Sequence, residues 1–452
     1  MLERLFGLRS HGTTVPREIL AGTVTFLTMA YIAVVQPAVL SQDFRGDPTG
    51  LNADGVYFAT CVSAATASLV MGLYANLPVA LASGMGQNFF FVSVLVALGE
   101  VGFADPAATA LGIVFVSGLL FWLVSLLGAR EAILHALSDS LRCAIAGGIG
   151  LFVAFIGLKN AGLIEAAPGT LVRLRADLWN TETAVWAAGL LATVTLFARR
   201  VRGAVLWGIA VAALVATIAG RVHWPSQWVG MPDWHALELG RLDLAGVVRL
   251  QLLPIVLIFL YMDLFDTLGT LVAVSEEAGL MQDGRLPNAR RALMADAFGT
   301  VWGAWLGTST VTSYIESAAG VEEGGRTGLT ACVTGLWFLL ALPLTPLVRT
   351  LGSFAPITAP ALVFVGLLMA RNIARIRWDD ITEAAPAALT VLGIPLCFSI
   401  GDGLALGMVS YPLIKLLAGR GRDVPWLMYV LGVALGAYLL LVRSQWSAHL
   451  GL

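Results

Sequence analysis

The stretch that decides the fold is Gly307-Thr-Ser-Thr-Val-Thr-Ser-Tyr-Ile-Glu-Ser-Ala-Ala-Gly320. It is rich in Ser, Thr and Gly and holds one carboxylate, Glu316, although apolar sequence surrounds it. A bilayer offers no water to free backbone groups, so such a run is stable at membrane depth only where protein buries it or where it lines a cavity. We therefore expect an interrupted membrane span here.

A second acidic stretch, Asp263-Leu-Phe-Asp266-Thr-Leu-Gly269-Thr270, lies in the preceding long hydrophobic segment. Ionisable residues inside a membrane span are costly, and they face the protein interior or a water-filled cavity. We interpret the two stretches together as a polar pocket at the bilayer midplane, with the rest of the chain as its housing.

The whole chain has the composition of a polytopic membrane protein. Of its 452 residues, 58% are hydrophobic and only 12% are charged, whereas soluble domains carry about 25% charged residues. The four cysteines lie in or beside apolar segments without metal-type spacing, so we interpret them as small apolar residues. The N-terminal residues 1–18 contain no cleavable signal peptide.

Apolar segments near the length of about 20 residues that crosses a bilayer divide the chain into two halves around a polar stretch, 221–249. A further apolar segment, 424–442, either spans the membrane or lies along its surface. The expected fold is all-α and polytopic, with fourteen spans and a possible extra C-terminal helix. The expected spans are 19–40, 56–75, 77–98, 108–128, 143–164, 184–199, 204–220, 251–275, 291–306, 309–324, 328–348, 357–371, 386–400 and 402–418.

The two halves resemble each other. Each begins with a long span, has a glycine-interrupted third span, and ends with two spans joined by a very short turn, 199–202 or 400–403. The interruptions are Ser83-Gly-Met-Gly-Gln-Asn-Phe89 in the third span and 308–320 in the tenth. Since seven spans is an odd number, the second copy must be inverted in the membrane. Interrupted segments at matching places in inverted repeats indicate a transporter site.

Arginine placement predicts a cytoplasmic N-terminus. Alternating the spans from that start puts Arg199, Arg200, Arg202, Arg290 and Arg291 on the cytoplasmic side, which agrees with the positive-inside rule. A few arginines in longer loops fall on the opposite side, where the rule is weaker. The expected location is the inner (plasma) membrane, crossed many times.

Glu316 is the strongest candidate for a functional group. An ionised carboxylate at the bilayer centre costs about 3 kcal/mol on insertion scales, so it must be paired, hydrated or protonated. Such a group can exchange a proton or accept hydrogen bonds from a ligand. The alternative is that Glu316 only joins helices through its hydroxyl neighbours. Thr312 and Ser313 make the polar site larger than one helix contact requires, which favours a function.

Asp263 and Asp266 are three residues apart and so share one helix face. Both can face the cavity, Asp266 as a ligand contact or proton site and Asp263 as a proton site or a bond to the backbone. The alternative is that one of them only joins the ends of broken helices. Gly269 lets another backbone or a flat ligand approach closely.

The matching break in the first half contains Gly84 and Gly86, which permit an extended segment with free N–H and C=O groups. The side chains that follow add two amides and two aromatic rings: Gln87, Asn88, Phe89 and Phe90. Hydrogen-bonding groups beside an aromatic ring suit a flat heterocycle. The alternative is a tight helix crossing through small residues.

Other polar residues carry weaker signals. Thr28 and Tyr31 in the first span are candidates for ligand contact, although hydroxyls at helical spacing usually bond their own backbone. Asp296, at the head of the ninth span, is interpreted as a helix-end charge. The sequence has no phosphate loop, HExxH motif or ATP-binding domain. We therefore expect no metal or organic cofactor, and the energy for transport must come from an ion gradient or from substrate flow alone.

These stretches, together with Gly22-Thr-Val-Thr-Phe-Leu-Thr-Met-Ala-Tyr-Ile32 and Ala146-Gly-Gly-Ile-Gly-Leu-Phe-Val-Ala-Phe-Ile-Gly-Leu-Lys-Asn-Ala-Gly162, resemble the AzgA-type purine permeases. That group belongs to the nucleobase–cation symporter 2 (nucleobase–ascorbate transporter) superfamily. The resemblance covers nearly the whole chain, and the motif at 308–320 is its most specific part.

The resemblance implies a core domain (19–128 and 251–348) and a gate domain (143–220 and 357–418). It implies import of adenine, guanine or hypoxanthine with a proton, and a homodimer formed through the gate. An acid on the eighth span and a Glu on the tenth hold the base in the superfamily. The expected substrate-binding residues are Glu316, Asp266, Phe89, Phe90, Asn88, Gln87, Thr312, Ser313, Gly269 and Thr28, and the expected proton-coupling residues are Glu316, Asp266 and Asp263.

Gln36, Gln87 and Phe89 depart from the residues usual in that group, which leaves the base open. A uracil or xanthine transporter of the same fold is one alternative. An anion exchanger is another, but it needs a Lys or Arg in the pocket, and the sequence indicates acids there and no buried cation. An integral-membrane enzyme needs a nucleophile, metal cluster or cofactor motif, and the sequence contains none.

Overall fold

The computed structural model describes residues 2–127, 137–167, 171–249, 252–281, 286, 288–437, 439 and 440. Helices dominate this part of the chain, so the predicted all-α class is confirmed. Among the described residues, seven helices are long and apolar enough to cross a membrane, with Val15–Leu40 counted as one, and five shorter apolar helices have 10–17 residues. The count of fourteen spans and the inversion of the halves stay predictions.

The first half opens with a short helix and then follows the predicted order of spans. Its helices are α1 (Leu2–Phe6), α2 (Val15–Met29), α3 (Tyr31–Leu40), α4 (Ala53–Val70, continued by the π-turn Met71–Ala75), α5 (Met85–Glu100), α6 (Pro106–Leu127), α7 (Asp139–Asn160), α8 (Thr181–Ala198) and α9 (Ala204–Ile218). Its strands are β1 (Leu81–Ser83), β2 (Ile164–Ala167) and β3 (Leu171–Leu174).

The second half repeats this pattern after a polar connection. Its helices are α10 (Leu244–Val247), α11 (Leu253–Glu277), α12 (Ala289–Leu306), α13 (Ser317–Glu322), α14 (Gly328–Ala341), α15 (Thr345–Gly352), α16 (Ala359–Ala370), α17 (Ile381–Leu396), α18 (Ile400–Leu417) and α19 (Trp426–Ala437). Its strand is β4 (Val311–Ser313), and 3₁₀ turns occupy Trp234–Ala236, Ala355–Ile357, Arg371–Arg375 and Gly421–Asp423.

The span expected at 386–400 is shifted toward the N-terminus, because α17 begins at Ile381. Asp380 caps this helix by accepting a hydrogen bond from the Thr382 amide at 3.0 Å. The polar first turn enters the bundle because Lys415 lies 2.9 Å from the buried Glu383 carboxylate. The short turn expected at 400–403 lies at 397–399 instead.

Helices α7, α16, α17 and α18 pack against one another, while α2, α4 and α14 pack together beside the α6–α12 pair. Glycines allow these close crossings, as is common between membrane helices. A Cβ atom added to Gly366 in α16 would lie 2.5 Å from the Gly150 carbonyl oxygen in α7. A Cβ atom on Gly22 in α2 would lie 2.5 Å from the Thr330 carbonyl oxygen in α14. The exact domain boundaries stay predictions.

Candidate functional site

The two interrupted spans meet in the interior of the protein. Strands β1 and β4 pair in antiparallel orientation, with Ala82 opposite Thr312. The pairing extends beyond the strands, because the Gly84 amide donates to the Thr310 carbonyl oxygen at 3.0 Å. Both strands are buried along their whole length. The predicted discontinuities in the third and tenth spans, with short extended segments, are therefore confirmed.

Asp266 lies beside this strand pair, on α11. Its Oδ2 atom accepts long hydrogen bonds from the Gln87 amide at 3.4 Å and from the Thr312 hydroxyl at 3.5 Å. Asp266 and Gly269 are exposed, although their helix neighbours Thr267 and Leu268 are buried. A Cβ atom added to Gly269 would contact nothing within 4 Å. This part of α11 therefore faces open space.

Glu316 lies between β4 and α13 and is partly exposed. Its Oε1 atom accepts a hydrogen bond from the Tyr31 hydroxyl at 2.9 Å. Thr28, the other candidate in the first span, donates mainly to its own helix at the Thr25 carbonyl oxygen, 2.8 Å away. Its hydroxyl reaches the site only at the Glu316 carbonyl oxygen, at 3.4 Å.

Asn88 is fully buried and its amide is engaged by neighbouring side chains. Its Oδ1 atom accepts from Gln36 Nε2 at 3.0 Å, and its Nδ2 atom donates to Gln36 Oε1. The Ser309 hydroxyl also donates to Asn88 Oδ1. In this structure the expected ligand-binding amide therefore joins the first, third and tenth spans.

The Phe89 and Phe90 rings are also covered by protein. Phe89 packs against Phe152 of α7, with ring centroids 6.2 Å apart, and Phe90 packs against Phe259 of α11 at 4.6 Å. The two rings are 2% and 3% exposed. A ligand can stack on either ring only if the side chains that cover it move.

The interpretation of Asp296 as a helix-end charge is wrong. This residue lies inside α12 and is fully buried. Its carboxylate accepts hydrogen bonds from the Thr267 hydroxyl at 2.7 Å and from the Ser313 hydroxyl at 2.9 Å. Ser313, an expected ligand contact, thus points its hydroxyl at Asp296. An acid within an apolar helix was the available signal, since such residues face the bundle interior.

Asp263 is fully buried and lies one turn before Thr267 on α11. Its Oδ2 atom accepts a hydrogen bond from the Thr300 hydroxyl at 2.7 Å. Two Asp–Thr bonds therefore join α11 and α12 reciprocally, because Asp263 bonds Thr300 while Thr267 bonds Asp296. Asp296 contacts β4 through Ser313, and Asp263 is connected to β4 through Thr300.

The described residues include one buried cation, which pairs with acids other than Asp266 and Glu316. Lys415 of α18 is buried, but Glu383 neutralises it, and the Tyr411 hydroxyl donates to the same carboxylate at 3.1 Å. Among the described residues, no salt bridge reaches Asp266 or Glu316. The residues that the structure describes also contain no group of three His, Cys, Asp or Glu residues placed to hold a metal ion.

The site therefore presents two carboxylates without a fixed cation, and a carboxamide beside them. Gln87 Oε1 is buried and has no hydrogen-bond partner within the described residues. The carboxylates accept hydrogen bonds, while a carboxamide both donates and accepts. This combination suits a neutral polar solute with N–H and acceptor atoms along one edge.

Comparison with known proteins identifies relatives over nearly the full length. The adenine permease AdeP of Escherichia coli (strain K12) is 42% identical over 94% of this chain and 92% of its own length. The guanine/hypoxanthine permease PbuO of Bacillus subtilis (strain 168) is 39% identical over 95% of this chain and 98% of its own.

Solved structures share the fold at low sequence identity. The transmembrane domain of the cyanobacterial bicarbonate transporter BicA superposes with a TM-score of 0.63 and 14% identity, covering 87% of this chain and 97% of that domain. The murine anion transporter Slc26a9 gives a TM-score of 0.60 at 10% identity, covering 89% of this chain and 68% of its own. These likenesses establish the fold alone.

A family model described as the permease family matches residues 16–405. With the near full-length relatives, this match makes the protein an integral membrane transporter and not an enzyme. The chain belongs to this permease family, within the nucleobase–cation symporter 2 (nucleobase–ascorbate transporter) superfamily.

Proposed function

We propose that this protein imports a purine nucleobase (adenine, guanine or hypoxanthine) across the cell membrane together with a proton. The N-terminus lies in the cytoplasm in this proposal, as the arginine placement predicts. The relatives named as adenine and guanine/hypoxanthine permeases support a purine as the substrate. A homodimer through the gate domain belongs to the same proposal.

The observation that carries the proposal is the group of side chains around the exposed face of α11. Asp266 and Gly269 face open space there, and Gln87 Nε2 donates to the Asp266 carboxylate at 3.4 Å, while Gln87 Oε1 has no hydrogen-bond partner among the described residues. A purine carries N–H groups and ring nitrogen atoms around one flat edge. Asp266 and Gln87 Oε1 accept from its N–H groups, and Glu316 binds it from the other interrupted span.

The proton gives the transport its direction. A ligand that binds both facings of a transporter equally shifts no equilibrium between them. A proton on one of the acids at the site removes its negative charge and changes which facing the loaded protein prefers. The core, with both interrupted spans, then moves against the gate by a rocking or elevator-like motion and releases the base inside.

Anion exchange is the second candidate, because a bicarbonate transporter shares the fold. An anion requires a net positive pocket, such as helix N-termini with a Lys or Arg. The candidate pocket instead holds Asp266 and Glu316. The buried Lys415 forms a salt bridge with Glu383. The charge of the pocket therefore favours a neutral base over an anion.

Uptake measurements test the substrate. The protein is expressed in a strain that lacks its own purine permeases, and radiolabelled adenine, guanine, hypoxanthine, xanthine, uracil and bicarbonate are compared at matched pH gradients. We expect uptake of at least one of the first three bases, abolished by a protonophore. Saturable uptake of bicarbonate without purine uptake would overturn the proposal.

Glu316→Gln tests the role of the carboxylate, because the amide keeps the size of the side chain but cannot carry the charge. We expect loss of proton-driven purine uptake, with protein levels in the membrane unchanged. Glu322→Gln is the matched control, since Glu322 is an exposed carboxylate at the end of α13. Full proton-driven uptake by Glu316→Gln would exclude the proposed role of Glu316.

A further inference from the structure

The backbone of Val311 in β4 faces away from β1. Across the pair, the Gly84 amide donates to the Thr310 carbonyl oxygen and the Tyr314 amide donates to the Ala80 carbonyl oxygen. Val311, opposite Ser83, therefore occupies a non-hydrogen-bonded position of the ladder. The Thr300 side chain bonds the free N–H and C=O groups of Val311, which a third strand would otherwise bond. Its hydroxyl accepts from the Val311 amide at 3.2 Å and lies 3.0 Å from the Val311 carbonyl oxygen.

The first half of the chain has the same arrangement. The Ser68 hydroxyl of α4 accepts from the Leu81 amide at 2.9 Å and donates to the Leu81 carbonyl oxygen at 3.2 Å. Ser68 and Thr300 thus occupy equivalent places in the second and ninth spans. One hydroxyl group is therefore enough to bond the free N–H and C=O groups at the edge of an interrupted strand, and no acid is needed.

Thr300 differs from Ser68 by one contact, because its hydroxyl also lies 2.7 Å from Asp263 Oδ2. Asp263 is fully buried, and its Oδ1 atom has no partner among the described residues. The titratable groups that act on Asp263 are both acidic: Asp296 on α12 and Asp266 on its own helix. None of the described salt bridges brings a cation to Asp263.

A hydroxyl group has one hydrogen to donate, and Thr300 has two acceptors within reach. When Asp263 is ionised, Thr300 donates to the carboxylate, and the Val311 carbonyl oxygen loses that donor. When Asp263 is protonated, its O–H donates to Thr300, and Thr300 donates to Val311. In the protonated form, the Thr300 hydroxyl and the N–H and C=O groups of Val311 therefore all have hydrogen-bond partners. In the ionised form, the buried Val311 carbonyl oxygen has none.

We propose that Asp263 carries the coupling proton and that Thr300 transmits its protonation state to β4. This inference rests on the proposed function and names the proton site within it. The two residues that follow Val311 both contact acids. The Thr312 hydroxyl donates to Asp266, and the Ser313 hydroxyl donates to Asp296. A proton on Asp263 fixes this segment, so the proton and the purine bind cooperatively. Thr300 is a positioning residue that does not touch the substrate.

The test is the pH dependence of adenine, guanine and hypoxanthine binding to the purified full-length protein. For one linked proton, we expect wild-type affinity to rise by at most about tenfold per pH unit as pH falls. Thr300→Val keeps the shape of the side chain but removes the hydroxyl, and we expect a flat profile. Thr300→Ser restores the hydroxyl and the pH dependence.

Ser68→Ala is the matched control, because it removes the equivalent hydroxyl from β1, where no acid is in contact. We expect it to weaken binding or stability while keeping the slope with pH. A second variant, Asp263→Asn, imitates the protonated acid, so its binding should be independent of pH and its purine counterflow in liposomes should persist without proton-driven accumulation.

The outcomes separate this inference from the proposed function. Wild-type protein that binds no purine at any pH refutes the proposed function. Purine binding with an unchanged pH slope in Thr300→Val, or with a slope lost equally in Ser68→Ala, refutes only the role of Thr300. A wild-type slope retained by Asp263→Asn shows that another group carries the proton.

Discussion

At the scale of single residues, the Gln36 carboxamide bonds both interrupted spans. It is fully buried, and its Nε2 group lies 3.0 Å from Asn88 Oδ1, 3.0 Å from Thr308 Oγ1 and 3.1 Å from Ser309 Oγ. Buried polar networks are stable only when their members are satisfied. Gln36 therefore holds the two breaks in one arrangement.

Gln36→Leu removes these bonds at nearly constant volume. Each buried polar group left without a partner costs about 1–3 kcal/mol, so we expect a lower midpoint of thermal unfolding in detergent and weaker purine binding. Val35→Leu, at the neighbouring buried position, is a control for packing changes without lost hydrogen bonds. A Gln36→Leu protein as stable as the wild type would contradict this role.

The sequence indicates some site residues and leaves others unidentified for a physical reason. Asp266, Gln87 and Thr312 are visible as polar groups in apolar segments, and the structure brings them together. The sequence does not show the partner of Asp296, because Ser313 lies on another segment. Residue spacing shows which side chains share a face of one helix, but it does not show which faces meet.

At the scale of elements, the amino-acid composition predicts the positions of the breaks better than it predicts the ends of the helices. Gly, Ser and Thr runs indicate where β1 and β4 interrupt their spans. The end of the span expected at 328–348 is wrong, because α14 stops at Ala341 just before Pro343, which lacks the amide hydrogen a helix needs. The start of α17 depends on the Glu383–Lys415 pair, which links two separate spans.

The crossing of α7 and α16 gives a prediction at this scale. Gly366→Ala places a methyl group 2.5 Å from the Gly150 carbonyl oxygen and 2.6 Å from the Ala154 amide nitrogen, so the helices must separate. Overpacking of this kind costs about 1–3 kcal/mol. We expect a lower unfolding midpoint in detergent for this variant.

Gly99→Ala is the control for the crossing. Its added methyl group would lie 3.7 Å from the nearest atom, an ordinary contact with Pro106, and alanine is the better helix former by about 0.5–1 kcal/mol. We expect its unfolding midpoint to stay equal or rise. An equal loss of stability in both variants would show that the close crossing is not the cause.

At the scale of the whole molecule, α11 presents an exposed strip that begins at Asp266 and Gly269. The strip continues through Val272 and Ala273 to the C-terminal end of the helix at Glu277. In the proposed topology this end faces the cytoplasm. The open space at Asp266 thus continues toward one side of the membrane.

Cysteine labelling tests this description. In a variant without the four native cysteines, Gly269→Cys should react with a membrane-impermeant maleimide in inside-out vesicles and much less in right-side-out vesicles, because only the cytoplasmic side has access. Leu271→Cys, at a fully buried position, should stay unlabelled. Equal labelling of Gly269→Cys from both sides would contradict the one-sided opening.

The pairing of β1 with β4 also constrains how the protein is made. The ribosome releases β1 long before β4 exists, so the first interrupted span enters the bilayer with backbone groups that have no partner. Those groups must stay hydrated or temporarily bonded until the last third of the chain arrives. The amino-terminal half therefore cannot reach its native form alone, and the nascent chain waits for its own carboxyl-terminal part to complete its membrane insertion.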